Sequence, residues 1–343
     1  MLRRLLSVVI LSLLAVPMIG GHRVHRENRT QSIGLRALQF DETQPKRRRA
    51  GSLIFLKAWE LTSDNSDFGG ISALMALPDD RFVGVSDAGT LVGFGLSNNQ
   101  TANRPFIAAM PGAVGRNVGY IDRDAESIAR DPVSGQFWVG YEGKHAIRRF
   151  PASFARVDGM IRPKPMQYWS KNSGTEALVR LKNGRFIAFS EGSGPRDREF
   201  SALAFSGDPV EPGTSATPFY YRPPSGYKAT DATQLPDGRL LILNRRVSIP
   251  KGFTAKLTLV DPNAIRRDAT LTGQVIATLA PPLLVDNMEG ISVTQEEGRT
   301  IVWMISDNNF MILQRTLLMK FALDLDMKKP EADRAAPGFE SLD

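Results

Sequence analysis

The sequence predicts an all-β fold, a six-bladed β-propeller over residues 52–328. Three observations carry this prediction: one hairpin pattern occurs five times, its copies are about one blade apart, and two further strands flank them. The copies begin at residues 69, 126, 176, 231 and 289, so that neighbouring copies are 50 to 58 residues apart. A β-sandwich with regularly spaced turns is the alternative interpretation of the same pattern.

Each copy consists of an apolar strand, a polar turn and a second apolar strand. The turns contain the Asn, Asp and Gly residues that favour hairpins, as in Lys182-Asn183-Gly184 and Pro236-Asp237-Gly238. Residues equidistant from such a turn lie opposite each other in an antiparallel hairpin, which predicts pairs of neighbours at its open end. The predicted pairs are Gly69/Asp87, Glu126/Glu142, Glu176/Glu191, Asp231/Asn244 and Glu289/Asp307.

Four segments lie outside the hairpins. The strand-like segments 52–59 and 316–323 are expected to share a sixth blade or to close the ring. Residues 22–51 form an arginine-rich arm or linker before the propeller, and residues 329–343 form a charged C-terminal tail. Both are polar enough that we expect them to be mobile.

The N-terminus has the pattern of a signal peptide over residues 1–21. Arg3 and Arg4 precede an apolar run over residues 5–19, and two glycines follow it. This run is shorter than the roughly 20 residues that a membrane-spanning helix needs. We therefore expect export to a bacterial periplasm or to the medium, with no stable membrane span after cleavage; an uncleaved anchor is the alternative.

Composition excludes several functional classes. With 42% hydrophobic and 23% charged residues the chain should be globular, and its net charge of +7 comes from the first 50 residues. The rest is neutral, so that we expect no nucleic-acid partner for the folded domain. There is no cysteine, and only three histidines occur, of which His145 alone lies in the propeller. Thiol chemistry and multi-histidine metal sites are thereby excluded.

Carboxylates recur at the open ends of the hairpins. If the hairpins are the inner strands of blades, these ends meet at one end of the central channel and collect Glu126, Glu142, Glu176, Glu191, Asp231, Glu289 and either Asp87 or Asp307. Carboxylates at that density repel one another. Oxygen ligands without His or Cys suit Ca²⁺, which predicts a calcium site. Alternatively, each acid caps its own blade or pairs with a nearby Arg or Lys.

Further polar residues accompany this ring. Asp122, Asp124 and Glu126 occupy alternate positions before a strand and are predicted to point the same way. Lys144 and His145 follow the second hairpin, where they could hold a phosphate or act as acid or base. The alternative for His145 is a purely structural role.

Arginine at the fourth hairpin points to an anionic ligand. Arg245 directly follows Asn244, where three of the other hairpins have Gly or Asn. A mouth lined by carboxylate and guanidinium groups favours an anion held by metal and arginine together. The alternative is that the arginine only neutralises the acids.

Several segments together resemble a known family. These are Phe68-Gly-Gly-Ile-Ser-Ala-Leu, Asp124-Ala-Glu-Ser-Ile, Gly174-Thr-Glu-Ala-Leu, Asp286-Asn-Met-Glu-Gly-Ile, Ser306-Asp-Asn-Asn-Phe and Gln314-Arg-Thr-Leu-Leu. They are similar to the bacterial phytase-like propellers described as having esterase-like activity, over about residues 60–325. The resemblance implies an exported propeller that hydrolyses phosphoesters or esters with the help of calcium.

These inferences assign roles to individual residues. We expect Glu126, Glu289 and His145 to be catalytic and Lys144, Arg245, Arg315 and Asn287 to bind substrate. The resemblance implies the metal ligands, which would be Glu126, Glu142, Glu176, Glu191, Asp231, Glu289 and Asp307. The first and fourth hairpins depart from the acid pattern with Gly69 and Asn244, which leaves the ligand set open. The expected partner is a small anionic or ester substrate, bound by a monomer. A noncatalytic ligand- or partner-binding propeller of the cell envelope and a calcium-dependent lactonase are the alternatives.

Overall fold

The structure is a computed structural model that describes residues 28–112, 122–170, 173–192 and 198–325. In these ranges the strands form five sheets, and the innermost strands of successive sheets contact each other in a closed ring. The predicted all-β propeller is therefore confirmed. The prediction of six blades is wrong, because the described residues form five.

The strands are numbered here in chain order. Three N-terminal strands belong to blade 5: β1 (Gly34–Ala37), β2 (Arg49–Ala50) and β3 (Leu53–Thr62). Blade 1 contains β4 (Ile71–Leu77), β5 (Arg81–Ser86), β6 (Thr90–Gly95) and β7 (Asn103–Ala109). Blade 2 contains β8 (Ala125–Arg130), β9 (Phe137–Tyr141), β10 (Ala146–Phe150) and β11 (Gly159–Ile161).

The remaining blades follow in the same outward order. Blade 3 contains β12 (Thr175–Arg180), β13 (Phe186–Ser190), β14 (Phe200–Phe205), β15 (Ala216–Arg222) and the outer β19 (Thr270–Thr272). Blade 4 contains β16 (Lys228–Gln234), β17 (Leu240–Ser248), β18 (Gly252–Val260) and β20 (Gln274–Leu279). Blade 5 is completed by β21 (Met288–Glu296), β22 (Arg299–Ser306) and β23 (Thr316–Leu323). Short 3₁₀ helices occupy Lys164–Tyr168 and Pro262–Ala264.

The blade count differs from the prediction because both ends of the chain enter one sheet. Strand β23 pairs antiparallel with β22 on one side and with β3 on the other, with Leu318 opposite Trp59. The segments expected to share a sixth blade thus complete the fifth. Backbone hydrogen bonds between the two ends of the chain close the ring.

The arm predicted over residues 22–51 is folded from residue 28 onward. Strand β1 pairs with β3, and Ile33 and Phe40 are buried. The ring of Phe40 stacks on that of Phe55 at 4.8 Å between centroids. Apolar residues among the arginines therefore hold this segment against blade 5. The signal peptide predicted over 1–21 and the tail predicted over 329–343 lie outside the described residues.

Apolar packing between blades fixes the ring. Trp303 of blade 5, for example, is buried and meets Phe82 of blade 1 edge to face at 4.8 Å. Such aromatic contacts bury large areas and hold neighbouring sheets at a set angle. Across the described ranges, no helix has the length and apolar character needed to cross a bilayer.

Candidate functional site

A β-bulge interrupts every inner strand at the same end of the channel, which we call the mouth. In each blade the register between the first and second strands shifts by one residue and leaves one residue without a partner. These residues are Ser72, Glu126, Glu176, Thr230 and Glu289. A bulge bends the strand and re-aims the extra side chain. The repeat therefore presents one bulged side chain per blade, and three of the five are glutamates.

The bulges displace the pairs predicted at the open ends. In blade 2 the backbone N–H of Glu142 donates to the backbone carbonyl of Asp124 at 2.9 Å, so that Asp124, rather than Glu126, lies opposite Glu142. The N–H of Asp307 likewise donates to Asn287 at 2.9 Å in blade 5. In these two blades the prediction from turn midpoints is off by two residues at the mouth, and the bulge, which breaks the ladder that the prediction assumed, accounts for one of them.

Three carboxylates of blade 2 come together at the mouth: Asp124, Glu126 and Glu142, which we call the acid triad. Each offers one oxygen, and these atoms all lie within 4.8 Å of one another. Asp124 is only 3% exposed, and its Oδ1 is buried with no hydrogen-bond donor among the described residues. An unpartnered buried carboxylate oxygen beside two further carboxylates fits a hard cation.

The protonation of the triad reflects this crowding. Burial, followed by the neighbouring Asp124, raises the pKa of Glu142 to about 8. Burial and the charges of Glu176 and Asp124 raise the pKa of Glu126 well above its ordinary value. Without a cation the triad therefore holds protons at neutral pH, since three adjacent carboxylates cannot all ionise cheaply.

A second group of acids surrounds Arg245. Its guanidinium contacts Glu191 Oε1 at 3.0 Å and Glu289 Oε1 at 2.9 Å, and it also donates to Oδ1 of Asn287. Glu176 is buried near this group, and its raised pKa follows from burial and from Glu191. The arginine expected to bind substrate thus lies in the mouth, where it contacts two of the acids predicted to bind metal.

Two other predicted ligands have different surroundings. Asp231 accepts hydrogen bonds from the N–H of Ala232 at 2.7 Å and from that of Ile291 at 2.8 Å, and so ties blade 4 to blade 5. Asp307 accepts from the N–H of Asn309 at 2.7 Å, and burial raises its pKa to about 7. The alternative interpretation of the acids, in which each caps its own blade, predicted backbone hydrogen bonds of this kind.

The predicted basic residues lie around the mouth with separate partners. Lys144 forms an ion pair with Asp122. Asp122 is not one of the three acids of the triad. Arg315 donates to Oδ2 of Asp286 at 3.3 to 3.5 Å. The ring of His145 lies edge to face against Trp169 at 6.4 Å, and burial lowers its pKa. The backbone N–H of His145 donates to the backbone carbonyl of Glu142, so that His145 lies in the loop directly beside the acid triad.

Sequence comparison identifies the family. The family model described as "Phytase-like: Esterase-like activity of phytase" matches residues 66–310, which include the acid triad and Arg245. The chain belongs to this phytase-like family. No curated protein matches it.

Solved structures with similar folds are distant from this phytase-like protein. The Malassezia sympodialis allergen Mala s 1 has 14% identity and a TM-score of 0.44, covering 80% of this chain and 91% of that chain. A luciferin-regenerating enzyme has 11% identity and a TM-score of 0.40, covering 88% and 95%. A chain of a nidogen/laminin complex has 8% identity and a TM-score of 0.41, covering 80% and 88%.

Gly174 supports the triad of the phytase-like protein from the neighbouring blade. A Cβ at this position would overlap the backbone and side chain of Glu142, whose carboxylate accepts a hydrogen bond from the Gly174 backbone. We expect Gly174→Ala to displace Glu142 and to weaken calcium binding by at least about tenfold. Gly207→Ala is the control, because a Cβ there meets nothing closer than 3.8 Å. Equal calcium affinities in the two variants, measured by calorimetry, would contradict this role.

The metal-free phytase-like protein is expected to lose stability as pH rises. Burial raises the pKa of Glu142 and of Glu289 to about 8 and that of Asp307 to about 7, all above their ordinary values. A carboxyl whose pKa is higher in the folded state favours folding below its ordinary pKa and loses that contribution as pH rises through the folded value. Thermal melts in EDTA should therefore shift to lower temperature between about pH 5 and 8. Calcium should oppose the shift, and identical pH profiles with and without calcium would refute this account.

Proposed function

We propose that this phytase-like protein is an exported, metal-dependent hydrolase of phosphoesters or esters. The observation that carries the proposal is the acid triad, with the buried and unpartnered Oδ1 of Asp124 between two carboxyls. Membership of a family described by esterase-like activity supports an ester-type substrate. The predicted signal sequence supports export to the periplasm or the medium.

Asp124, Glu126 and Glu142 are the residues that would hold the metal. Three carboxylates with no nitrogen or sulfur ligand among them suit Ca²⁺ best among common ions. A bound cation of this kind polarises a phosphoryl or acyl oxygen and lowers the pKa of a bound water. The fold holds the three carboxyls together, because Asp124 directly precedes β8, Glu126 lies at the bulge of β8 and Glu142 directly follows β9.

Arg245 and Asn287 are the proposed substrate-binding residues. The guanidinium of Arg245 is fixed by Glu191 and Glu289 and brings positive charge to the mouth. Nδ2 of Asn287 is buried and has no acceptor within hydrogen-bond distance in the described part of the chain. A substrate oxygen is the kind of acceptor that would satisfy it.

Glu289 and His145 are the proposed acid and base. Burial outweighs the nearby Arg245 and raises the pKa of Glu289 to about 8, so that Glu289 carries a proton at neutral pH and can donate it to a leaving oxygen. The lowered pKa of His145 leaves its imidazole neutral at the same pH and able to accept a proton. Glu142 and His145 are adjacent through their backbones, which puts this base in the loop beside the triad.

The proposal is tested by hydrolysis assays on the purified protein. The substrates are phytate, p-nitrophenyl phosphate, p-nitrophenyl acetate and a sugar lactone, each with calcium and with EDTA. We expect turnover of a phosphoester or an ester that EDTA abolishes and calcium restores. Calcium binding without turnover of any substrate would overturn the hydrolase and favour a noncatalytic binding propeller. Turnover of the lactone alone would favour a lactonase.

A further inference from the structure

Two loops at the mouth expose a concentration of large apolar side chains. In the loop between β22 and β23, Ile312 is 93% exposed and Leu313 is 90% exposed, and Met311 is also exposed. In the turn between β17 and β18, Ile249 is 89% exposed, and Val247 is exposed beside it. We call these five residues the apolar rim. Exposed groups of this size on a soluble domain mark interaction sites.

Both loops extend from the mouth, as strand direction shows. At the level of the bulge in blade 4, Asn244 pairs with Ala229, yet β17 and β18 continue to the pair Ser248/Gly252. Four further residues of strand carry the turn about 13 Å beyond the mouth. The other loop begins directly after Asp307, and its Phe310 ring lies against Gly70 of blade 1.

One of the two loops that carry the rim is basic. Residues 245–255 contain Arg245, Arg246 and Lys251 and no acid, whereas residues 308–315 contain only Arg315, which pairs with Asp286. The side chains of Arg246 and Lys251 are exposed on either side of Ile249. The acids of the mouth lie deeper, and Arg245 contacts two of them, Glu191 and Glu289. Loop tips with apolar side chains and flanking exposed cations are complementary to a lipid bilayer, whose interior is apolar and whose anionic headgroups lie at its surface.

We propose that the apolar rim docks this protein on a lipid bilayer that contains anionic phospholipid. The apolar side chains of both loops enter the boundary between headgroups and acyl chains, while Arg246 and Lys251 meet the phosphates. Docking in this orientation turns the channel mouth toward the bilayer. The proposal rests on the exposed loops alone and does not require that the mouth hydrolyse anything.

The test is flotation with vesicles of phosphatidylcholine alone or with about one quarter phosphatidylglycerol. We expect the wild type to bind the anionic vesicles, and more weakly at high salt because screening removes the cationic contribution. The double variant Ile312→Asp/Leu313→Asp should lose at least about tenfold in affinity, since burying apolar area drives such binding. Arg246→Ala/Lys251→Ala should lose mainly the preference for phosphatidylglycerol.

The control is Val133→Asp, which introduces one negative charge, as Ile312→Asp alone does, at a side chain that is 93% exposed in the turn between β8 and β9, away from the mouth. All variants share one N-terminus, so that any lipid affinity of residues 1–21 cancels in the comparison. Equal losses in the control and in the Ile312→Asp/Leu313→Asp variant would overturn the proposal, as would a wild type that floats with neither vesicle. A wild-type dimer in light scattering that the rim variant dissociates would make the rim a self-association surface instead. Hydrolysis is not measured, so failure of the proposed activity leaves this result interpretable.

Discussion

Asp124→Asn is expected to abolish calcium binding and, above about pH 8 where Glu142 is ionised, to raise the melting temperature of the metal-free protein. The carboxylate of Asp124 contributes to the raised pKa values of both Glu126 and Glu142, so an amide of the same shape relieves that repulsion. The same change removes the negative charge of the carboxylate whose Oδ1 is buried without a donor, and a neutral amide attracts a cation less strongly. Hydrolysis should fall by more than about 100-fold, because even residues that only orient a metal ligand cost 10- to 100-fold.

Asp286→Asn is the matched control for that prediction. Asp286 is also buried near the mouth with a raised pKa, but it is paired with Arg315 and is not in the triad. We expect calcium affinity to change little in this variant, measured by calorimetry, with melting followed by circular dichroism in EDTA. If Asp124→Asn destabilised the metal-free protein above about pH 8, crowding of carboxylates would not be the dominant force in the triad.

Arg245→Met is expected to be the most destabilising single change at the mouth. This substitution removes the guanidinium that contacts Glu191 and Glu289, so that both carboxyl groups lose their shared cationic partner in a largely buried site. Breaking a buried ion pair on one side typically costs about 3 to 5 kcal/mol of unfolding free energy. The loss should be largest above pH 8, where Glu289 is ionised, and smaller in acid, where it is protonated.

Lys228→Met provides the comparison for Arg245→Met. Lys228 also contacts Glu191, at 3.1 Å, but its side chain is 55% exposed, so that water can replace it. We expect urea denaturation to show a change well below about 1 kcal/mol for this variant. Arg245→Lys should recover part of the stability but not the bridge to both acids. Similar losses in the Arg245→Met and Lys228→Met variants would contradict a central role for Arg245.

The fold class could be predicted from short stretches of sequence, whereas the number of blades depended on pairing between strands that lie far apart in the chain. Turn residues such as Asn183-Gly184 and the spacing of the hairpins identify each hairpin from a short stretch of sequence. Whether residues 52–59 and 316–323 form a new sheet or join an old one depends on hydrogen bonds between residues far apart in the chain. Strand β3 pairs with β23, and no local pattern in either segment encodes that partner.

The site was predicted in its composition but not in its register. The sequence placed Glu126 and Glu142 together and singled out Asp124 through its alternation with Glu126. It paired Glu142 with Glu126 instead of Asp124, an error of two residues, of which the bulge at the start of the strand accounts for one. Asp231 illustrates a second limit, since backbone donors from two blades surround it and only the folded chain brings them there.

The most direct test of the account is a calorimetric titration of the purified protein with calcium at pH 7 in buffers of different ionisation enthalpy. Glu126 and Glu142 hold protons in the metal-free protein, so binding should be saturable and should release protons. Both the binding and the proton release should be lost in Asp124→Asn and kept in Asp286→Asn. Absence of binding, or binding that Asp124→Asn leaves unchanged, would show that the acid triad is not a metal site.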